Sequence, residues 1–199
     1  MSSEAFDFLR ECDPVLGRVV GRIGPLEEHR GGGDHFGALC DIIIGQQLSV
    51  ASARAIKNRF RAHFGQTPDP VLILEMSEDT AKSLGLSAPK ARYLKNLAQH
   101  LKDGQLDIAH LATLSDDEIR REIVAVKGLG PWSADIFLMF HLIRPDVLPV
   151  GDLGIREAMR RLYELDARPE PAEMERLSAP WRPHRTLASR YLWRFLDEK

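Results

Sequence analysis

Two short stretches hold the residues whose types and spacing suit chemistry. In Val124-Ala125-Val126-Lys127-Gly128-Leu129-Gly130-Pro131-Trp132-Ser133-Ala134-Asp135 one helix ends and another begins within a few residues. The Gly-Leu-Gly turn leaves backbone amides bare at the new helix start. Unpaired N–H groups and the helix dipole both favour an anion there, and missing side chains let the backbone approach closely, so a DNA phosphate fits. The same residues also suit a tight αα turn with Pro131 at the first helical position and no ligand at all. In the second stretch, Leu148-Pro149-Val150-Gly151-Asp152-Leu153-Gly154-Ile155-Arg156, one carboxylate sits where a loop enters a helix. Aspartate at such a place usually caps the helix. Order and distance give Asp152 another reading: a glycine turn, one helix, then a proline-glycine turn bearing a lone acid.

Other chemistries are missing. Gly31-Gly32-Gly33 is not followed by Gly-Lys-Ser/Thr and does not open after a strand, so neither a nucleotide-hydrolase loop nor a dinucleotide fingerprint is present. No two of the seven histidines are spaced by three residues as a helical metal pair requires, and Gly-x-Ser-x-Gly is absent. Two cysteines, Cys12 and Cys40, exclude a four-thiolate zinc or iron–sulfur site and fit a reducing compartment. The apolar stretch Ile136 to Phe140 is broken by His141, far short of a membrane span. Residues Met1 to Asp13 carry four acids and no apolar run, so no secretory or transit signal is expected and a cytoplasmic location is.

The net charge of −2 on 199 residues speaks against a plainly basic nucleic-acid domain, but the charge is unevenly spread. Arg54, Lys57, Arg59 and Arg61 lie in an acid-free stretch, as do Lys82, Lys90, Arg92, Lys95 and Lys102, and again Arg182, Arg185, Arg190 and Arg194. Each is a solvated helix face or part of a phosphate-binding surface.

The elements that must position these residues read as helices throughout, because apolar residues recur at three-and-four spacing and no long alternating run appears. Helices are expected at Pro14 to Ile23, His35 to Gly45, Ser49 to Phe64, Val71 to Met76, Ser77 to Leu84, Ala88 to Leu101, Ser115 to Val124, Pro131 to Ile143, Leu153 to Leu165, Pro171 to Leu177 and Pro183 to Leu196. Ser115 with Glu118 forms a capping box. The expectation is an all-α protein of short helices in one or two compact bundles.

Taken together these stretches resemble the helix-hairpin-helix DNA glycosylase superfamily, with Gly128 and Gly130 as hairpin glycines and Asp152 at the position of the catalytic aspartate. The match is closest to the bacterial 3-methyladenine DNA glycosylase II branch. Gly130-Pro131-Trp132-Ser133-Ala134, Trp181-Arg182-Pro183-His184-Arg185 and Ile44-Gly45-Gln46-Gln47-Leu48-Ser49-Val50 are similar to motifs of that branch, in the same order. Trp132 stands where strand-cutting relatives place a lysine, no cysteine follows Cys40 for an iron–sulfur cluster, and with few residues ahead of the first core helix the N-terminal sheet domain of larger members is not expected.

The resemblance implies one domain over 1–199 in two helical lobes, about 36–125 and 126–199 plus the N-terminal helices, with a helix-hairpin-helix motif and a cleft between the lobes. It also implies a monofunctional glycosylase that flips and excises alkylated bases such as N3-alkyladenine and N7-alkylguanine. Asp152 would stabilise the cationic sugar, and Trp132 and Trp193 would face the base. Gln47 or Leu48 would fill the gap in the duplex. Lys127, Gly128, Leu129, Gly130 and Arg185 would hold phosphates, and backbone carbonyls of Val124, Val126 and Leu129 would bind a sodium or potassium ion, with no other cofactor. The implied partner is double-stranded DNA, met by a monomer and not at a membrane. A non-catalytic helix-hairpin-helix DNA-binding module, or a glycosylase for mismatched or oxidised bases, would share the glycines.

Overall fold

A computed structural model describes residues 3–29 and 31–198, and among them the chain is helical with no strand. The helices are α1 Ser3–Cys12, α2 Pro14–Ile23, α3 His35–Gly45, α4 Val50–Phe64, α5 Pro70–Glu75, α6 Glu78–Leu84, α7 Ala88–Lys102, α8 Asp116–Ala125, α9 Pro131–Phe140, α10 Leu153–Leu162, α11 Pro171–Ser178 and α12 Arg185–Asp197. Most start where a short polar side chain can accept a first-turn amide: Asp13, Asp34, Ser49, Asp69, Ser77, Ser87, Ser115 and Asp152 all do so. Ser115 and Glu118 complete the expected capping box.

The chain divides into two compact units, residues 1–30 with 138–199, and residues 31–137. The hairpin stretch 126–137 therefore groups with the helices before it, not with the C-terminal ones expected from sequence. Its anchors explain this: Gln46, just after α3, and Asn96, on α7, bond to hairpin carbonyls.

In the unit of residues 31–137, α3 packs against α4 and α7. It buries Phe36, Leu39, Cys40, Ile43 and Ile44, while α4 contributes Phe60 and Phe64 and α7 Leu94, Leu97 and Ala98. Each large aliphatic side chain removed from water contributes about 1.5–3 kcal/mol. The α3 helix is thus held from two sides, and its C-terminal end, which leads into the Gln47-Leu48 loop, is fixed in place.

In the other unit α12 packs on α10 and α2. Its buried residues include Leu187, Ala188, Tyr191 and Leu192, which join Leu9, Leu16, Ile155, Met159 and Trp181 in one core. Asp13 locks the start of α2 into that core. Its Oδ1 accepts from the Val15 and Leu16 amides, and its Oδ2 accepts from Tyr163 Oη and from Trp181 Nε1 at 2.9 Å.

Beyond shifts of one or two residues, three elements differ from expectation. Helix α1 is additional: its apolar stripe is short, with Ala5 and Leu9 buried one turn apart. Helix α9 stops at Phe140 instead of reaching Ile143, because Ile143 takes a left-handed φ of 55° and the Arg144 amide turns back to the Leu138 carbonyl at 2.9 Å. Helix α10 stops at Leu162, where Glu164 at φ 54° lets the Leu165 amide reach the Arg160 carbonyl in a Schellman-type end.

Candidate functional site

The hairpin is built from the end of α8 and the start of α9. The Val126 amide closes α8 on the Ile123 carbonyl, and the Leu129 amide then turns back to the Val126 carbonyl at 3.0 Å. Gly128 has φ 110°, and a Cβ there would fall 2.3 Å from Tyr93 Cγ, so glycine is required by both conformation and space. Gly130 differs: a Cβ on it would meet nothing within 4 Å. Its carbonyl accepts the first helical bond of α9, from Ala134 at 3.1 Å, and its open side is where an anion can come close to the backbone. Lys127 is exposed beside it.

Residues that sequence reasoning did not single out hold this turn. Gln46 Nε2 donates to the Gly128 carbonyl at 2.9 Å and to Ser133 Oγ at 3.2 Å, and Asn96 Nδ2 donates to the Lys127 carbonyl. Asp135, buried at 5% exposure, accepts from Arg120 Nε at 2.9 Å and so clamps α9 to α8. Burial alone would lower the affinity of Arg120 for its proton, but the bond to Asp135 and its charge outweigh that and raise it. An arginine on α8 fifteen positions before its partner leaves no trace in helical periodicity, so only the fold could show this pair.

The loop between α3 and α4 carries the expected wedge residues at its tip. Gln47 takes a left-handed φ of 56° and the Leu48 amide reaches the Gly45 carbonyl at 3.3 Å, after which Ser49 caps α4. Gln47, Leu48 and Val50 are left exposed. Leu48 and Val50 also line a groove with Trp132, Ile136, Arg54 and Lys57, within the unit of residues 31–137. Trp132, at the second position of α9, is half-buried on that groove.

Asp152 lies in the other unit. It is half-buried and caps α10 through the Ile155 amide at 2.8 Å, and the same Oδ1 accepts from Trp193 Nε1 at 3.1 Å. Gly154 makes room for this pair, since a Cβ on it would fall 3.0 Å from Asp152 Oδ1 and 3.4 Å from the indole. Trp193 in turn stacks on Phe140, with ring centres 5.8 Å apart. Its N–H is committed to the carboxylate and one face is shared with Phe140, so Trp193 orients Asp152 as well as lining a cavity.

The expected basic surface is smaller than the sequence suggested. Arg185 is a correction: it is 7% exposed, and its guanidinium is bound to Asp146 through Nε and Nη2 and to Glu175 through Nη1, so it is a structural ion pair and not a phosphate contact. Arg61 pairs with Asp41 and Arg182 with Asp146. Lys90 turns inward to the Ile44 carbonyl at the end of α3, and burial lowers its pKa. Arg54 and Lys127 are exposed.

The family model for HhH-GPD superfamily base excision DNA repair proteins matches residues 40–183, which takes in the loop between α3 and α4, the hairpin and Asp152. The chain belongs to the HhH-GPD superfamily. Among curated members, the chain is 31% identical over 169 residues to a putative DNA-3-methyladenine glycosylase of Bacillus subtilis, covering 81% of this chain and 59% of the relative. It is 35% identical over 155 residues to DNA-3-methyladenine glycosylase 1 of Schizosaccharomyces pombe, covering 76% and 68%. Among solved HhH-GPD structures, the S. pombe 3-methyladenine DNA glycosylase in complex with abasic DNA superposes with a TM-score of 0.84 at 30% identity over 96% of both chains. A DNA-3-methyladenine glycosidase from Bacillus halodurans gives 0.79 at 28% identity, covering 99% and 93%. The chain spans somewhat under three fifths of the length of its B. subtilis HhH-GPD relatives, 59% and 57%. Among the described residues no cluster of His, Cys, Asp or Glu could hold a metal ion, and no helix is long and apolar enough to cross a membrane.

Proposed function

We propose that this HhH-GPD chain is a monofunctional DNA glycosylase that hydrolyses the N-glycosidic bond of alkylated bases, N3-alkyladenine and N7-alkylguanine among them, in duplex DNA. The observation that carries the reading is the hold on Asp152. A helix cap needs only the Ile155 amide, whereas here an indole N–H is added on the same oxygen. A carboxylate oriented from two directions suits a fixed electrostatic task better than capping alone.

The chemistry follows from charge. Alkylation at N3 or N7 makes the base a good leaving group, so no proton need be given to it. Positive charge instead develops on the sugar, and an ionised Asp152 beside it stabilises that charge in a water-poor site. The base must first leave the stack. Gln47 or Leu48, exposed on the loop after α3, fills the gap, while Lys127 and the amides around Gly128 and Gly130 hold a phosphate of the lesion strand. Trp132 and Trp193 offer indole faces that attract a cationic base. With Trp132 in place of a lysine, no amine is supplied there for an imine, so the product is an intact abasic strand.

An alkali cation fits the hairpin by donor chemistry. The carbonyls of Val124, Val126 and Leu129 are hard oxygen ligands, Val124 lies in the last turn of α8, and the bond from Leu129 to the Val126 carbonyl leaves that oxygen a second lone pair. Bound there, the ion supplies positive charge toward a DNA phosphate. Residues 1–199 act in this reading as one domain and as a monomer in the cytoplasm.

The test is base release from duplexes carrying a panel of alkylated bases. Release by the wild type and not by Asp152→Asn supports the reading. Binding to abasic DNA without release of any base would make the chain a non-catalytic DNA-binding module.

A further inference from the structure

We propose that His29 reads the charge of the extruded base, the neutral imidazole admitting cationic purines and the imidazolium excluding them. The inference rests on the glycosylase reading above. It starts from an open cavity of about 660 Å³ within the unit of residues 1–30 and 138–199, whose walls include His29, Phe140 and Trp193. That volume is ample for a purine. His29 meets Phe140 edge-on with ring centres 5.0 Å apart, Phe140 stacks on Trp193, and Trp193 donates to Asp152. One continuous aromatic wall therefore runs from the carboxylate to the imidazole.

The other charged groups on this cavity balance. Glu27 and Glu28 lie on the same connecting segment as His29, and Arg190 and Arg194 on α12. A smaller adjoining cavity shares Glu28, His29 and Arg190 and adds Arg144 and His184. His184 is turned edge-on to Phe8, 5.2 Å between ring centres, and Arg190 bonds to the Glu27 carbonyl. His29 is the group of the larger cavity whose charge changes near neutral pH. Partial burial of this exposed ring lowers its pKa from the ordinary imidazole value and the Arg190 charge lowers it further, against a smaller opposing effect of Glu27. At neutral pH the ring is uncharged and offers one donor and one acceptor to a base edge. When the pH falls through its pKa the pocket gains a positive charge, which repels a base that already carries one. A neutral purine such as hypoxanthine meets no such repulsion.

The experiment measures single-turnover excision of 7-methylguanine and of hypoxanthine from otherwise identical duplexes between pH 7 and pH 5. Any effect of pH on the sugar chemistry common to both substrates acts on both rates and cancels in their ratio. In the wild type the ratio of cationic to neutral excision should fall about fivefold across that range, as expected when a nearby group charges. In His29→Phe, which keeps the ring against Phe140, and in His29→Gln, which keeps polarity, the ratio should stay within about twofold. Equal falls in the wild type and both variants overturn the role of His29 while leaving the glycosylase reading intact. No excision by the wild type, or full excision by Asp152→Asn, overturns that reading and this inference with it.

Discussion

Gly128 lies against the ring of Tyr93 so closely that a Cβ would come within 2.3 Å of Cγ, and its φ of 110° is one that other residues rarely adopt. Gly128→Ala should therefore destabilise the protein by about 2 kcal/mol or more. Gly130→Ala should change stability by less than about 0.5 kcal/mol, because its Cβ meets nothing, yet weaken DNA binding by obstructing the phosphate. Urea unfolding alongside duplex titration separates the two. Equal stability of both variants would count against the packing account of the hairpin.

Trp193→Phe keeps an aromatic ring for Phe140 and removes the donor to Asp152. Excision should fall about tenfold or more, the weight of a hydrogen bond to a charged group. Asp152→Asn should lose at least about 100-fold while still binding an abasic duplex. An asparagine caps a helix as well as an aspartate, so thermal melts of the two proteins should nearly coincide. Unchanged excision in Trp193→Phe would reduce the indole bond to packing.

Lys127 and Arg185 should part company. Lys127→Ala should weaken DNA binding across all sequences and make the log–log salt slope shallower by about 0.9. Arg185→Ala should leave the slope alone and cost about 1–3 kcal/mol of stability, since Asp146 and Glu175 lose their buried partner and keep only the exposed Arg182. A change of slope in Arg185→Ala would put that residue back on the DNA surface.

Trp132 predicts both an absence and a preference. Borohydride should trap no covalent complex with the wild type. In Trp132→Ala, cationic bases should lose about 1 kcal/mol more than neutral ones, the size of a cation–π contribution. A trapped complex would mean that a lysine reaches the sugar.

The pH dependence of stability should trace Asp13. Burial would raise its pKa, but bonds from Trp181, Tyr163 and the Val15 and Leu16 amides win and lower it. A carboxylate with a lowered folded pKa contributes stability that is present above about pH 4 and lost as pH falls through the folded value. Asp13→Asn should cost about 2–4 kcal/mol at neutral pH, because the amide sets a donor against two donors. The gap from wild type should close in acid, and a gap independent of pH would leave the cost to shape alone.

What could be read from the sequence was mostly local. Ser49, Ser77, Ser87 and Ser115 announce helix starts by their own chemistry, and the Gly-Leu-Gly turn with the later Asp152 marks a site by order along the chain. Arg185 shows the limit. Its sequence neighbours look like a basic helix start, but Asp146 lies 39 positions away, and only the folded chain reveals that the charge is spent. Gln46 was hidden in the same manner, 82 positions from the carbonyl it supports. Groups that act on distant partners leave no periodic mark.

Cys40 is fully buried on α3, and burial pushes its thiol well up in pKa; burial and the neighbouring Asp13 raise that of Cys12 as well. Methylating agents attack thiolates far faster than thiols. On the glycosylase reading the protein meets the same reagents that damage the DNA, and this chain holds both of its thiols in the less reactive protonated form. It should keep both thiols unmodified through an exposure that methylates the duplex beside it.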